Sequence, residues 1–168
     1  MRAVTVKLSQ LRPRNFQIQY TPSYKTLITH YALGPQHPLF DLREREMKTR
    51  KKEGLWWHVT NTLALSKSAV VRSWCRRRLR NAFLAELNTR GFNQYGKLIK
   101  PGDLERMQPA LSLTGSLRLN ATPALVAAKH VDVRRETAAV IDILLEGARA
   151  EASIPRTNLL SSASRGIL

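Results

Sequence analysis

The sequence predicts an α/β domain of the α+β sandwich kind, a small, mostly antiparallel sheet with helices packed on one side. Short runs rich in β-branched and aromatic residues alternate with two long stretches of helical periodicity, and glycine and proline mark many of the joins. A chain of 168 residues that is 43% hydrophobic is long enough for one domain with a real core.

Residues 1–13 read as a basic N-terminal extension or targeting segment, 14–150 as a single domain, and 151–168 as a Ser-rich flexible tail. A short helical turn places Phe16 and Tyr20 on one face before Pro22 interrupts it. "KTLITHYAL", 25–33, is bounded by Gly34 and Pro35 and reads as a strand. "FDLREREMKTRKKEG", 40–54, is a mixed-charge stretch without a continuous apolar face, a solvated helix or arm. In "LWWHVTNTLAL", 55–65, a strand puts Trp57, Val59, Asn61 and Leu63 on one face and Trp56, His58, Thr60 and Thr62 on the other. The adjacent tryptophans then face opposite ways. One packs into the core, and the other covers an inserted loop or offers a stacking surface. Residues 88–115 form an irregular, glycine-rich connection with one helical turn, and 116–128 contain a third strand. "VDVRRETAAVIDILLEGARAE" reads as a helix with Val133, Ala138, Val140, Ile141, Leu144 and Leu145 on its apolar side.

Function concentrates in "KSAVVRSWCRRRLRNAFLAEL", 67–87, where five arginines occupy nine positions and no acid occurs between Glu53 and Glu86. As a helix, Val71, Cys75, Leu79, Ala82, Phe83 and Leu87 make an apolar stripe, with Arg72, Arg76 and Arg80 beside it. Like charges at i,i+4 destabilise an isolated helix by roughly 0.2–0.5 kcal/mol per pair, so the row calls for an anion from outside. The whole chain has 28 Lys+Arg against 12 Asp+Glu and a net charge of +16, which points to a polyanionic partner. No apolar run approaches the ~18 residues of a membrane span, and nucleic acid is favoured over a lipid surface. Cys75 stands alone, the four histidines lack metal-ligand spacing, and no nucleophilic triad or phosphate loop is recognisable. No catalytic residues, bound cofactor or small-molecule substrate are expected.

The basic helix resembles the signature of the bacterial ribonuclease P protein subunit, approximately A-V-x-R-N-R-x-[KR]-R-x-x-R-x-x-F. Ala69, Val70, Arg72, Arg76, Arg77, Arg80 and Phe83 stand at matching positions, while Ser73 and Trp74 replace the central Asn-Arg. "LSK", Leu65 to Lys67, is similar to a shortened form of the family's lead-in to this helix. "NFQIQY" is similar to an early F-x-x-x-F pair, and 117–145 has the shape of the family's final strand, loop and helix. Insertions fall near 34–54 and 89–115.

The resemblance implies a ribosomal protein S5 domain 2-like fold in which the basic helix lies in a left-handed crossover and grips a catalytic RNA. That RNA hydrolyses the precursor tRNA with bound magnesium, and the protein tightens substrate and metal binding. Lys67, Arg72, Arg76, Arg77, Arg78 and Arg80 are then the RNA-binding residues, and Phe16 and Tyr20 line a cleft for the single-stranded 5′ leader. From the residues alone, the aromatic pair reads instead as a hydrophobic seam closing a short N-terminal helix on the sheet. Two functional classes stay open: a tRNA-processing subunit, or a structural protein of an organellar ribosome bound to rRNA and neighbouring proteins. The acid-free, Ser- and Thr-rich first forty residues point to the mitochondrial matrix.

Overall fold

The computed structural model describes residues 2–27, 36–99 and 112–152. Its elements are α1 (Arg2–Gln10), β1 (Phe16–Thr21), α2 (Phe40–Thr49), β2 (Leu55–Thr60), a 3-10 turn at Leu63–Leu65, α3 (Ala69–Thr89), β3 (Gly115–Ala121), a short α4 (Ala124–Ala127) and α5 (His130–Ala152). The fold is α+β, as the pattern predicts. The strand order is β1-β3-β2. Strand β3 pairs antiparallel with β1, Phe16 opposite Ala121, and parallel with β2, Val59 beside Leu119. Among the described residues the sheet is therefore mixed rather than mostly antiparallel. A parallel pair requires a crossover connection, and α3 lies in the one between β2 and β3.

Alternation along the strands sorts the sheet into two faces. Phe16, Ile18 and Tyr20 of β1, Leu55, Trp57 and Val59 of β2, and Leu117, Leu119 and Ala121 of β3 join the core cluster under the helices. The opposite face is polar, with Gln17, Gln19, His58, Thr60, Arg118 and Asn120. There Arg118 donates to the Thr60 hydroxyl at 2.9 Å and to the Leu27 carbonyl at 3.1 Å. Helix α5 buries Val133, Val140, Ile141, Leu144 and Leu145 as expected, and α3 buries Cys75, Leu79, Ala82, Phe83 and Leu87. Burial raises the Cys75 thiol pKa despite the charge of Arg78 nearby, so Cys75 is a small core residue.

The N-terminal reading changes most. Within the segment that reads as a basic extension, residues 2–10 form α1, which buries Val4 and Leu8, an i,i+4 pair, against α5. Gly147 of α5 makes the approach possible, because a Cβ there would collide with the Val4 side chain. The link into β1 is held by the Glu136 carboxylate, which accepts the Arg14 and Asn15 amides at 3.1 and 3.2 Å. Phe16 to Tyr20 form strand β1 rather than a helical turn. In the segment expected as a strand at 25–33, residues 25–27 are irregular, and 28–33 lie outside the described residues, as do 100–111 of the connection and the tail from 153. The mixed-charge stretch is helical in α2, largely exposed, with Lys48 and Glu44 paired at i,i+4. Among the described residues no helix is long and apolar enough to cross a membrane.

Candidate nucleic-acid interface

Ser68 precedes the first turn of α3 in extended conformation, and the expected apolar stripe turns the helix onto the sheet. At 100° per residue, Arg76 and Arg80 fall on one flank of that stripe, Arg78 on the other, and Arg77 on the face opposite it. This division sets the fate of each guanidinium. Arg78 turns inward: it donates to the carbonyls of Leu125 and Ala128 and lies over the Trp74 ring at 4.9 Å. Arg72 turns back on the helix entrance and donates to the carbonyls of Ser66 and Lys67 at 2.7 and 2.8 Å. Both are half-buried ties within the fold, whereas the sequence offers them as RNA ligands alongside the rest. Lys67, Arg76, Arg77 and Arg80 are exposed, and their side chains make no hydrogen bond or ion pair among the described residues.

The only acid of α3, Glu86, does not compensate them. It is 8% exposed and held between Arg90, at 2.8 Å, and Arg134, at 2.6 Å. Burial pushes its pKa up, but the hydrogen bonds and charges of the two arginines prevail and hold it below the ordinary carboxylate range.

Arg76, Arg77 and Arg80 form one wall of an open groove of about 670 Å³ that runs along β2. Arg50, Gln94 and Tyr95 also line it; His58, Thr60 and Asn61 complete the lining with Leu55, Trp57 and Val59. None of the described lining residues is acidic. Burial, and then the charge of Arg50, lower the His58 pKa, so its imidazole is neutral at pH 7. Arg50, Gln94 and Tyr95 were not legible as site residues. Arg50 stands in a run that reads as a solvated arm, and Tyr95 sits between glycines in a connection without periodicity.

The adjacent tryptophans divide as the alternation requires, and each is engaged within the protein. Trp57 packs on Phe83, ring centroids 4.7 Å apart, and its indole N–H donates to the Gln94 carbonyl at 2.7 Å. Trp56, 5% exposed, is covered by Tyr24, at 5.1 Å, and by the Arg50 guanidinium, at 4.0 Å.

Phe16 and Tyr20 share a face, as expected, but it is the face beneath the helices. Phe16 is fully buried, so no base can reach its ring. Tyr20 donates its hydroxyl to the Thr114 carbonyl at 3.1 Å, and burial, then the charge of Glu151, push its pKa up to about 12. The pair is the hydrophobic seam, not the lining of a leader cleft.

Among the described residues no three His, Cys, Asp or Glu side chains converge as a metal site would. Compared with family profiles, curated proteins and solved structures, the chain gives no match.

Proposed function

We propose that the protein is the RNA-binding subunit of a ribonucleoprotein of the ribonuclease P type, acting in the mitochondrial matrix on the 5′ maturation of precursor tRNA. One observation carries the reading: three guanidinium groups, Arg76, Arg77 and Arg80, stand without a partner among the described residues on a helix that lies in a parallel crossover. Guanidinium presents planar, paired donors to phosphate and stays charged when partly desolvated, which suits a close-packed RNA surface. The signature residues Ala69, Val70, Arg76, Arg77, Arg80 and Phe83 support the same family, with Phe83 in the core and the arginines outside. The role of the protein is to neutralise phosphates and orient RNA, and the bond-breaking chemistry belongs to the RNA with magnesium.

The test is to recover and sequence the RNA bound to the tagged full chain, then assay precursor tRNA cleavage with and without that RNA. A compact noncoding RNA accompanied by precursor tRNA, with cleavage at lower magnesium in the presence of the protein, is expected. Stoichiometric rRNA would assign the chain to the ribosome instead. Cleavage by protein freed of RNA would overturn the non-catalytic role.

A further inference from the structure

We propose that the groove along β2 is a track for a strand of unpaired RNA, built by the two insertions against the arginine flank of α3. The inference rests on the RNA-binding reading and moves the single-strand contact from the buried Phe16 and Tyr20 to Tyr95. Neither wall suffices alone. Helix α3 supplies charge, whereas Arg50 comes from the first insertion and Gln94 and Tyr95 from the second.

The loop that carries Tyr95 is held from several directions. Its carbonyl accepts the Leu55 amide at 2.8 Å, and its amide donates to the Asn93 side-chain oxygen at 2.9 Å. Trp57 holds the neighbouring Gln94 carbonyl. Gly54, at φ 68°, lets the Tyr95 carbonyl approach where any Cβ would collide with it. Gly96, at φ 70°, lies directly on Leu55 and Leu113. Lys97 and Glu53 join the two insertions across the loop at 2.6 Å. With its backbone so fixed, the Tyr95 ring projects outward and is 56% exposed.

A tyrosine held in place and left uncovered beside guanidinium groups matches what unpaired RNA offers, a base face and a phosphate at each nucleotide. A duplex has no free base face to give. The groove volume, about 670 Å³, falls in the range of about 300–1,000 Å³ typical of clefts for small ligands, on the scale of a few nucleotides of one strand.

The experiment uses the full chain and fluorescence anisotropy with two probes, a labelled ten-nucleotide oligouridine and a labelled ten-base-pair RNA duplex. Tyr95→Leu is expected to weaken oligouridine by about 5- to 150-fold, leaving duplex affinity and melting temperature unchanged. Tyr95→Phe, which keeps the ring, should bind like the wild type. Arg50→Gln should also weaken oligouridine more than duplex. Unchanged oligouridine binding by Tyr95→Leu, or equal losses for both probes, would overturn the track. The outcomes separate it from the reading beneath it: if Arg76→Gln/Arg77→Gln/Arg80→Gln weakens the duplex while Tyr95→Leu changes nothing, RNA binding stands and the track falls. Binding of neither probe by the wild type overturns both.

Discussion

The different fates of the arginines on α3 make a quantitative prediction about salt. In the variant Arg76→Gln/Arg77→Gln/Arg80→Gln, three exposed charges without partners among the described residues are lost, and no side-chain contact among those residues is broken. Each phosphate neutralised contributes about 0.9 to the slope of log affinity against log salt on a duplex and about 0.7 on a single strand. Removing three contacts should therefore flatten the slope by about 2–3, with the melting temperature held within a degree or so of the wild type. Arg78→Gln should do the reverse. Its guanidinium satisfies the carbonyls of Leu125 and Ala128, and their loss from a half-buried site should cost on the order of 1–2 kcal/mol. For a chain of this size that lowers the melting temperature by roughly 2–8 °C, with a slope change below about one. Anisotropy titrations of the co-purified RNA from about 50 to 200 mM salt, paired with circular-dichroism melts, measure both quantities. A slope altered by less than one in the triple variant, or altered as much by Arg78→Gln, would refute the division of the helix into an RNA flank and a structural flank.

Gly147→Ala should destabilise the protein, although the same change in an open helix stabilises by roughly 0.5–1 kcal/mol, because the new Cβ meets Val4. Overpacking of this kind costs about 1–3 kcal/mol, and Val4→Ala should relieve part of it in thermal melts; a raised melting temperature in the single variant would show that α1 is not docked on α5. Phe16→Ala should cost about 3–5 kcal/mol in chemical denaturation while leaving the relative affinities for precursor and mature tRNA unchanged, and a selective loss of precursor binding would restore the leader role to this ring. Stability should also fall on acidification in two steps. The folded-state pKa of His58 is depressed below its ordinary 6.5, so the unfolded chain takes up the proton first, and stability that is full above that pH declines as pH drops toward the folded value. Glu86, depressed below 4.5, adds a second loss beneath that pH, as its carboxylate is protonated and its two arginine contacts weaken. Urea midpoints for the wild type and His58→Gln between about pH 7.5 and 5.5 test the upper step, which the variant should lack.

Some parts of this protein are determined by the sequence itself. The four-residue ladder from Val71 to Leu87 and the apolar side of α5 specify helices and their buried faces, because an amphipathic helix has one way to hide its stripe. The period-2 pattern from Leu55 to Thr60 likewise sends Trp57 to the core and Trp56 to the opposite face. Excess positive charge is a matter of composition alone. Other features were ambiguous or silent. Phe16 and Tyr20 share a face in a helix and in a strand alike; only pairing of Ile18 with Leu119 settles the strand, and that partner lies a hundred residues away in the chain. The pair Val4 and Leu8 was visible as an i,i+4 repeat, but its burial depends on the bare surface of Gly147 in α5. The arginines separate by the same rule. Arg76, Arg77, Arg78 and Arg80 are chemically identical, and what distinguishes them is whether folding brings carbonyl groups of a distant segment within reach of the guanidinium, as Leu125 and Ala128 reach Arg78. Tyr95 and Arg50 become neighbours of that charged flank only because β2 and the loop after α3 are hydrogen-bonded together, Leu55 to Tyr95 and Trp57 to Gln94. Periodicity determines which side of an element is buried, since that follows from the geometry of one helix or strand. Which exposed charges remain free, and what stands opposite them, is a long-range relation between segments that only the tertiary structure decides.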